Sequence, residues 1–270
     1  MPDAATAERP TSAAAPARPS EPATRGRSFR PSGARQSVIE LLRFTEKVPA
    51  VPQLRRSRLP RLAAVRASAS VRVGWPVLFL KAYANVCARR PELRRVYVRW
   101  PFARIYEHPH TVARMTVARD VEGAEVVLLT RNIRPEAATL AELQAEVMAF
   151  ATDDPSENVP VKRQAMLNRV PWVGKYLGWK TLLWSGPWRT TWLGTFGVTT
   201  VSKFGGVTLA PPTFTTTMLS FGPVSRDGDV DVVLSYDHRV IDGADCARAM
   251  AELEEELETA VADELAAMQP

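Results

Sequence analysis

The segment from residue 229 to residue 261 constrains the fold most, because it predicts a strand, a turn and a helix in succession. Residues 229–236 alternate apolar and polar side chains, which is typical of a strand with one buried face. Residues 245–261 place apolar side chains at helical spacing and glutamates on the other side, which is typical of an amphipathic helix. Between them lies the sequence Asp-His-Arg-Val-Ile-Asp-Gly. The pattern therefore places His238, one of three histidines, at a strand-to-helix turn.

The chemistry of this turn has two interpretations. An imidazole titrates near neutrality, so His238 can accept a proton from a thiol or a hydroxyl. Asp242 can fix the geometry of the turn or pair with a basic residue, and Gly243 lets the backbone approach closely or adopt a positive φ. A histidine at a strand end can equally be structural, and the spacing alone leaves both interpretations open.

The other two histidines form a His-Pro-His sequence at His108 and His110. Two imidazoles could be two ligands of a metal ion, but no third ligand group stands out near them. We therefore interpret them as loop or strand-end residues and predict no metal site.

Composition indicates a globular protein of one large or two small domains, since 46% of the 270 residues are hydrophobic and 24% are charged. No apolar run is long enough for a transmembrane helix, and the N-terminus has no apolar signal-peptide core. Cys87 and Cys246 lie far apart and are interpreted as buried apolar residues, so a cytoplasmic location is expected. The net charge of +6 indicates anionic partners.

The chain divides into a tail and one folded domain. Residues 1–36 are rich in Ala, Pro and Arg and cannot bury enough apolar surface to order themselves, so a disordered tail is predicted. Residues 37–270 are predicted to form one mixed α/β domain. Within it the patterns predict helices at 37–44, 76–90, 138–151 and 245–261, and strands at 63–73, 96–100, 103–107, 111–118, 125–130, 195–201, 213–221 and 229–236.

Residues 161–192 form a basic, tryptophan-rich segment. They contain five of the seven tryptophans and six Lys or Arg residues, without an Asp or Glu. The favoured interpretation is a pair of helices that packs tryptophans into the core or a subunit contact. The alternative is a basic aromatic surface for an anionic cofactor, a membrane face or an acyl chain.

The motifs around His238 resemble a known family. Residues 234–245 resemble the active-site signature of dihydrolipoyl acyltransferases, the catalytic cores of 2-oxo acid dehydrogenase complexes, which are related in fold to chloramphenicol acetyltransferase. Residues 194–202, Gly-Thr-Phe-Gly-Val-Thr-Thr-Val-Ser, are similar to the family's Gly-Thr-Phe-Thr-Ile-Ser stretch. Residues 210–213, Ala-Pro-Pro-Thr, resemble its Asn-Pro-Pro segment. The resemblance covers roughly residues 45–262.

The resemblance implies a CoA-dependent acyltransferase fold, with a mixed sheet flanked by helices and assembly as a homotrimer. Each active site would lie between two subunits, with His238 of one chain as general base and the hydroxyl of Thr199 from its neighbour as donor to the tetrahedral oxyanion. Asp242 would orient the turn. Coenzyme A, as acyl-CoA, would be the implied cofactor, with three basic residues of the tryptophan-rich segment as candidate phosphate partners: Lys175, Lys180 and Arg189.

The sequence differs from the family in several places, and these differences lead to two functional hypotheses. The tail has no recognisable lipoyl domain and no lysine before Lys47, so no covalent lipoyl group is expected on this chain. Gly197 stands where the family has a threonine. One hypothesis is acyl transfer from CoA to a thiol of a lipoyl-bearing or carrier protein. The alternative is a catalytically inactive trimeric scaffold or assembly partner. No nucleic-acid partner is predicted, and membrane-surface contact is the weaker alternative.

Overall fold

A mixed sheet and a small two-stranded sheet form the β-structure of the computed structural model. The model describes residues 48–121, 124–152 and 170–268, together with Ser28, Ile39, Leu42, Arg43 and Thr45. The disordered tail predicted at residues 1–36 and the basic positions 161–169 therefore lie almost wholly outside the described residues. Within the part of the chain that is described, no helix is long and apolar enough to cross a membrane.

Seven described strands form the large sheet, in the order β1-β9-β8-β7-β4-β5, with β6 also paired to β4. β7 runs parallel to β4 and to β8, whereas β9 runs antiparallel to both of its neighbours, β1 and β8. β2 and β3 pair separately as an antiparallel hairpin. The strand bounds are β1 Ala50–Arg58, β2 Arg95–Val98, β3 Arg104–Glu107, β4 Val112–Val121, β5 Ala124–Leu129, β6 Asn132–Ile133, β7 Phe196–Thr200, β8 Thr217–Phe221 and β9 Asp229–Asp237.

The described helices pack around this sheet. α2 is the central one, because ten of its fifteen residues are buried. On it, Phe79 stacks on Phe221 of β8 at 4.1 Å between ring centroids, and the Tyr83 hydroxyl donates to Thr217 Oγ1 at 2.8 Å. The bounds are α1 Pro60–Ser68, α2 Trp75–Arg89, α3 Leu140–Thr152, α4 Trp172–Trp184, α5 Gly186–Leu193, α6 Gly243–Glu256 and α7 Ala262–Ala267, with a π-helical segment Leu257–Val261 between the last two.

The sequence predictions hold for the mixed α/β class and for the strand-turn-helix at the C-terminus, where β8 and β9 form the predicted antiparallel pair. The strand predicted at 63–73 is wrong, since most of it belongs to α1 or follows it. The carboxylate of Glu258 accepts from the backbone N–H groups of Arg61 and Leu62 at 3.1 and 3.0 Å, and so satisfies the N-terminus of this helix from a distant part of the chain.

The first strand was not predicted, because Pro49 and Pro52 interrupt its pattern. Among the described strands, β1 lies at the edge of the large sheet and pairs with β9 alone, in a register that sets Ala50 opposite Asp237. Proline lacks an N–H donor but is tolerated on an edge strand. This pairing places the start of β1 beside the end of β9, where His238 follows.

Candidate active site

His238 is the first residue after β9 and lies at the surface of the chain. Its backbone N–H donates to the carbonyl of Pro49 at 3.2 Å, which ties the turn to the start of β1. Its ring lies 5.4 Å from that of Tyr236, and its side chain is 47% exposed. The imidazole is therefore held on a fixed backbone while it remains accessible to a thiol.

An ion pair between Asp237 and Arg239 holds the turn. The Asp237 side chain is only 2% exposed and accepts from Arg239 Nε at 2.8 Å, from Nη2 at 2.6 Å and from the backbone N–H at 3.1 Å. The guanidinium also lies over the ring of Tyr97, 4.6 Å from its centroid. Such a bidentate, charge-assisted pair fixes direction as well as distance. Sequence reasoning overlooked both residues, although they flank His238 in the Asp-His-Arg triplet.

Asp242 is the N-cap residue of α6 and is strongly exposed, at 83% of its side chain. Its Oδ1 lies 3.7 Å from His238 Nδ1, which is too long for a hydrogen bond. Its side chain makes no cap hydrogen bond to the helix. The orienting role predicted for Asp242 therefore stays a prediction, and the observed contacts give that role to Asp237 and Arg239.

Thr199 lies in β7 and is partly exposed. Its Oγ1 accepts a hydrogen bond from Thr116 Oγ1 at 2.7 Å, so its own proton can be donated to another acceptor. Two residues earlier, Gly197 leaves room for Met218, whose Sδ and Cε would lie 2.5 Å from a Cβ at that position. The departure from the family's threonine therefore has a packing reason.

One chain does not bring Thr199 and His238 together. The registers of β7, β8 and β9 place Thr199 level with Val233 of β9. Val233 lies five residues before His238, and β9 lies two strands away from β7. Strand rises of about 3.3 Å and strand spacings of about 4.8 Å give a backbone separation of roughly 19 Å. A site that uses both side chains must therefore take them from two chains.

The basic residues predicted to bind the cofactor lie on α4 and α5. Lys180 Nζ lies 5.1 Å and 5.4 Å from the ring centroids of Tyr176 and Trp184, while Lys175 is half-buried. These two lysines stay predicted phosphate partners.

Arg189 is buried, and its guanidinium donates to the backbone carbonyl of Phe214 at 2.7 and 3.1 Å and to that of Tyr97 at 2.9 Å. Burial lowers its pKa to about 10. These three hydrogen bonds give the Arg189 guanidinium partners inside the fold. Its role in binding the cofactor stays a prediction. Because Tyr97 also lies beneath the Arg239 guanidinium, Arg189 connects α5, through Tyr97, to the turn that carries His238.

A cavity of about 450 Å³ lies beside the turn. Pro49, which accepts the His238 N–H, is flanked by two of its lining residues, and Ala50 pairs with Asp237. The Ala-Pro-Pro-Thr segment singled out in the sequence forms part of its wall. The lining residues are Ile39, Leu42, Arg43, Thr45, Val48, Ala50, Ala210, Pro211, Pro212 and Thr213. A mostly apolar cavity beside an exposed imidazole is suited to an acyl chain.

His108 is buried, at 4% exposure, away from this turn. Its Nδ1 lies 2.8 Å from Thr190 Oγ1 and 3.2 Å from the Tyr106 hydroxyl. Burial, and then the charges of His110 and Arg94, lower its pKa to about 4, so it is neutral at physiological pH. Among the described residues there is no group of three or more His, Cys, Asp or Glu side chains that could hold a metal ion.

Comparisons with known proteins place this geometry in a fold family. No family model matches the chain, and no curated protein matches it in sequence. Among solved structures, a probable dihydrolipoamide acetyltransferase from Listeria monocytogenes has a TM-score of 0.61 at 15% identity, over 86% of this chain and 94% of that one. A dihydrolipoamide acetyltransferase from Azotobacter vinelandii has a TM-score of 0.60 at 21% identity, over 91% and 98%.

Two further structures support the same assignment. The catalytic core of a 2-oxoacid dehydrogenase multienzyme complex from Thermoplasma acidophilum has a TM-score of 0.61 at 16% identity, over 87% of this chain and 99% of that one. A chloramphenicol acetyltransferase has a TM-score of 0.51 at 13% identity, over 84% and 94%. The chain therefore has the fold shared by dihydrolipoamide acetyltransferase catalytic cores and chloramphenicol acetyltransferase, as its sequence motifs predicted.

Proposed function

We propose that this protein is a CoA-dependent acyltransferase that moves an acyl group between coenzyme A and the thiol of a lipoyl-bearing or carrier protein. The observation that carries the proposal is the exposed imidazole of His238, on a turn that is held by the ion pair between Arg239 and the buried Asp237. This arrangement occurs in a chain with an acyltransferase fold.

The proposed reaction needs one base and one oxyanion donor. His238 takes the proton of the acceptor thiol, and the resulting thiolate attacks the carbonyl carbon of the acyl-CoA thioester. The tetrahedral intermediate then collapses, the bond from carbon to the CoA sulfur breaks, and the imidazolium returns the proton to the CoA thiolate. A new thioester and free CoA result, and His238 is neutral again. Exchange between two thioesters is nearly isoenergetic, so positioning and proton transfer can suffice.

Thr199 of a neighbouring chain supplies the oxyanion donor in this proposal. Thr116 donates to the Thr199 oxygen, which leaves the Thr199 proton for the oxyanion. One such donor contributes about 3 kcal/mol to the stabilisation of the transition state. The roughly 19 Å between the two residues in one chain supports a site shared by two subunits of a homotrimer.

The cavity beside His238 is the proposed site of the acyl chain. Its walls come from β1, the Pro-Pro segment and the helical residues that precede β1. Apolar walls stabilise an apolar chain through burial. We expect uncharged acyl groups to react faster than dicarboxylic ones, as judged by kcat/KM over a series of acyl-CoAs.

The central experiment is acyl transfer by purified protein and by its His238→Ala variant. Acyl-CoAs of increasing chain length serve as donors with dihydrolipoamide as acceptor, and the release of free CoA is measured. We expect His238→Ala to lose about 10²–10⁴-fold in kcat/KM, as for removal of a general base. His110→Ala is the matched control, because this histidine lies outside the site and should leave the rate unchanged.

The same experiment distinguishes an acyltransferase from the alternative function, an inactive trimeric scaffold or assembly partner. A stable trimer that shows no transfer with any donor or acceptor, and no CoA protection against heat, would contradict the enzymatic proposal and favour the scaffold. Transfer that is insensitive to His238→Ala would contradict the assigned base while leaving the reaction class intact.

A further inference from the structure

A large apolar surface lies on the hairpin between β2 and β3 and on the outward side of α4 and α5. We call it the aromatic face, and its members are Trp100, Phe102, Tyr176, Leu177 and Trp188. Phe102 is 80% exposed, Trp188 59% and Leu177 57%. Single exposed apolar residues are ordinary, but several of them on adjoining elements are typical of an interaction site.

The face is one rigid surface, although its residues are distant in sequence. The ring of Trp100 at the hairpin tip stacks on that of Trp184 at the end of α4, with 4.6 Å between centroids. Arg104 donates to the carbonyls of Trp100 at 2.9 Å and Trp184 at 3.3 Å, which fastens the hairpin to the helix. Tyr106 packs so closely on α5 that a Cβ at Gly186 would lie 2.4 Å from its ring.

The outward side of α4 is apolar, which is the reverse of a normal surface helix. Its other side already packs inward, where Trp179 stacks on Phe214 at 5.1 Å. The outward positions at helical spacing are Val173, Tyr176 and Leu177, all at least 44% exposed. A helix in a water-exposed position normally presents polar residues there. This stripe therefore predicts an apolar environment outside the chain, while the favoured interpretation of the segment, packing into the core or a subunit contact, stays a prediction.

The segment that carries α4 and α5 has charges of one sign. From residue 158 to residue 226 the sequence contains no Asp or Glu, whereas Lys and Arg recur throughout. Arg99 and Arg104 flank the exposed rings of the hairpin tip, and both are exposed. Lys180 lies over the rings of Tyr176 and Trp184 on the helix. Exposed aromatic rings bordered by cations are the composition found at the boundary between lipid headgroups and acyl chains.

We propose that the aromatic face is a membrane-docking surface, which lays its rings at the headgroup level of a bilayer while its Lys and Arg side chains bind anionic phospholipids. The protein attaches as a peripheral protein, since no described helix is long enough to span a bilayer. A second copy in a twofold contact is a poorer occupant, because the face would then set Arg99, Arg104 and Lys180 against the same charges. A contact with a different surface of a neighbouring chain is an outcome of the test.

The test is co-sedimentation of the full chain with large vesicles of phosphatidylcholine, with and without phosphatidylglycerol. We expect binding to the anionic vesicles, a blue shift of tryptophan emission, and weaker binding as salt rises. The double variant Phe102→Ser with Leu177→Ser should bind at least tenfold more weakly, and Lys180→Glu should weaken the anionic component. Phe204→Ser is the matched control, since Phe204 is 72% exposed at the other end of β7.

Three results would overturn the proposal. The first is absence of sedimentation with either vesicle, and the second is equal binding to neutral and anionic vesicles. The third is a double variant that retains vesicle binding but changes the oligomeric state in light scattering, which would assign the face to a contact between copies. Circular dichroism of each variant separates these results from unfolding, which we do not expect because the changed side chains are exposed.

Discussion

Two separately inactive variants are expected to restore activity when they assemble together. Thr199→Ala removes the proposed oxyanion donor, and His238→Ala removes the proposed base. The two side chains lie roughly 19 Å apart in one chain, so each site must draw them from different subunits. A trimer that contains both variants then has sites with an unchanged His238 from one chain and an unchanged Thr199 from the next.

The size of the recovery follows from cyclic symmetry. Any mixed trimer contains either two copies of one variant or two of the other. Around either ring, one of the three interfaces combines the unchanged imidazole with the unchanged hydroxyl, so about one third of wild-type activity should return. The separate variants should show losses of about 10²–10³-fold for Thr199→Ala and about 10²–10⁴-fold for His238→Ala.

The assay uses co-expression of the two variants with different affinity tags, isolation of mixed trimers by both tags in turn, and measurement of CoA release. Mixed trimers of wild type and the double variant are the control, and they should retain at most about one third of wild-type activity because only an interface between two wild-type chains is intact. A site within one chain predicts no recovery from the single variants, and that outcome would refute the two-chain site. Full activity of either variant alone would refute its assigned role.

Three further predictions concern stability. Arg189→Met leaves two interior carbonyls without donors, so the free energy of unfolding in urea should fall by roughly 2–4 kcal/mol; an unchanged value would contradict its structural role. The pKa of His108 is lowered from 6.5 to about 4, so its stabilising contribution is present above pH 6.5 and is lost as pH falls towards 4, where the unfolded state binds the proton first. A His108→Gln variant should flatten this slope in denaturation curves, and a slope that persists would contradict it. Gly228→Ala should lower the melting temperature more than Gly205→Ala, because both have positive φ but only a Cβ at Gly228 would lie 2.4 Å from Leu59 backbone atoms; equal shifts would contradict the steric argument.

The strength of local patterns explains which elements could be predicted from sequence. The helix predicted from Pro76 is observed as α2, because its apolar positions recur at helical spacing and proline suits its first turn. α1 was mistaken for a strand because valine, arginine, alanine and serine alternate in part over residues 63–73. Its helical state depends on the carboxylate of Glu258, almost two hundred residues away. No local pattern contains that contact.

The tryptophan-rich segment shows a second limit. Its composition predicts helices and a role for the aromatic rings, and the described part is helical in α4 and α5. Periodicity does not decide which side of a helix faces the core when both sides are apolar. The stacking of Trp179 on Phe214 decides it, and it turns Tyr176 and Leu177 outward.

The sequence by itself determined the strand-turn-helix around His238 and the fold that its motifs predicted, because both depend on residues that are close along the chain. The tertiary structure alone decided what surrounds the histidine. The burial of Asp237 against Arg239 and the interior contacts of Arg189 depend on strands and helices that meet only after folding. The separation of Thr199 from His238 likewise depends on strand order and register, which pair residues far apart in sequence.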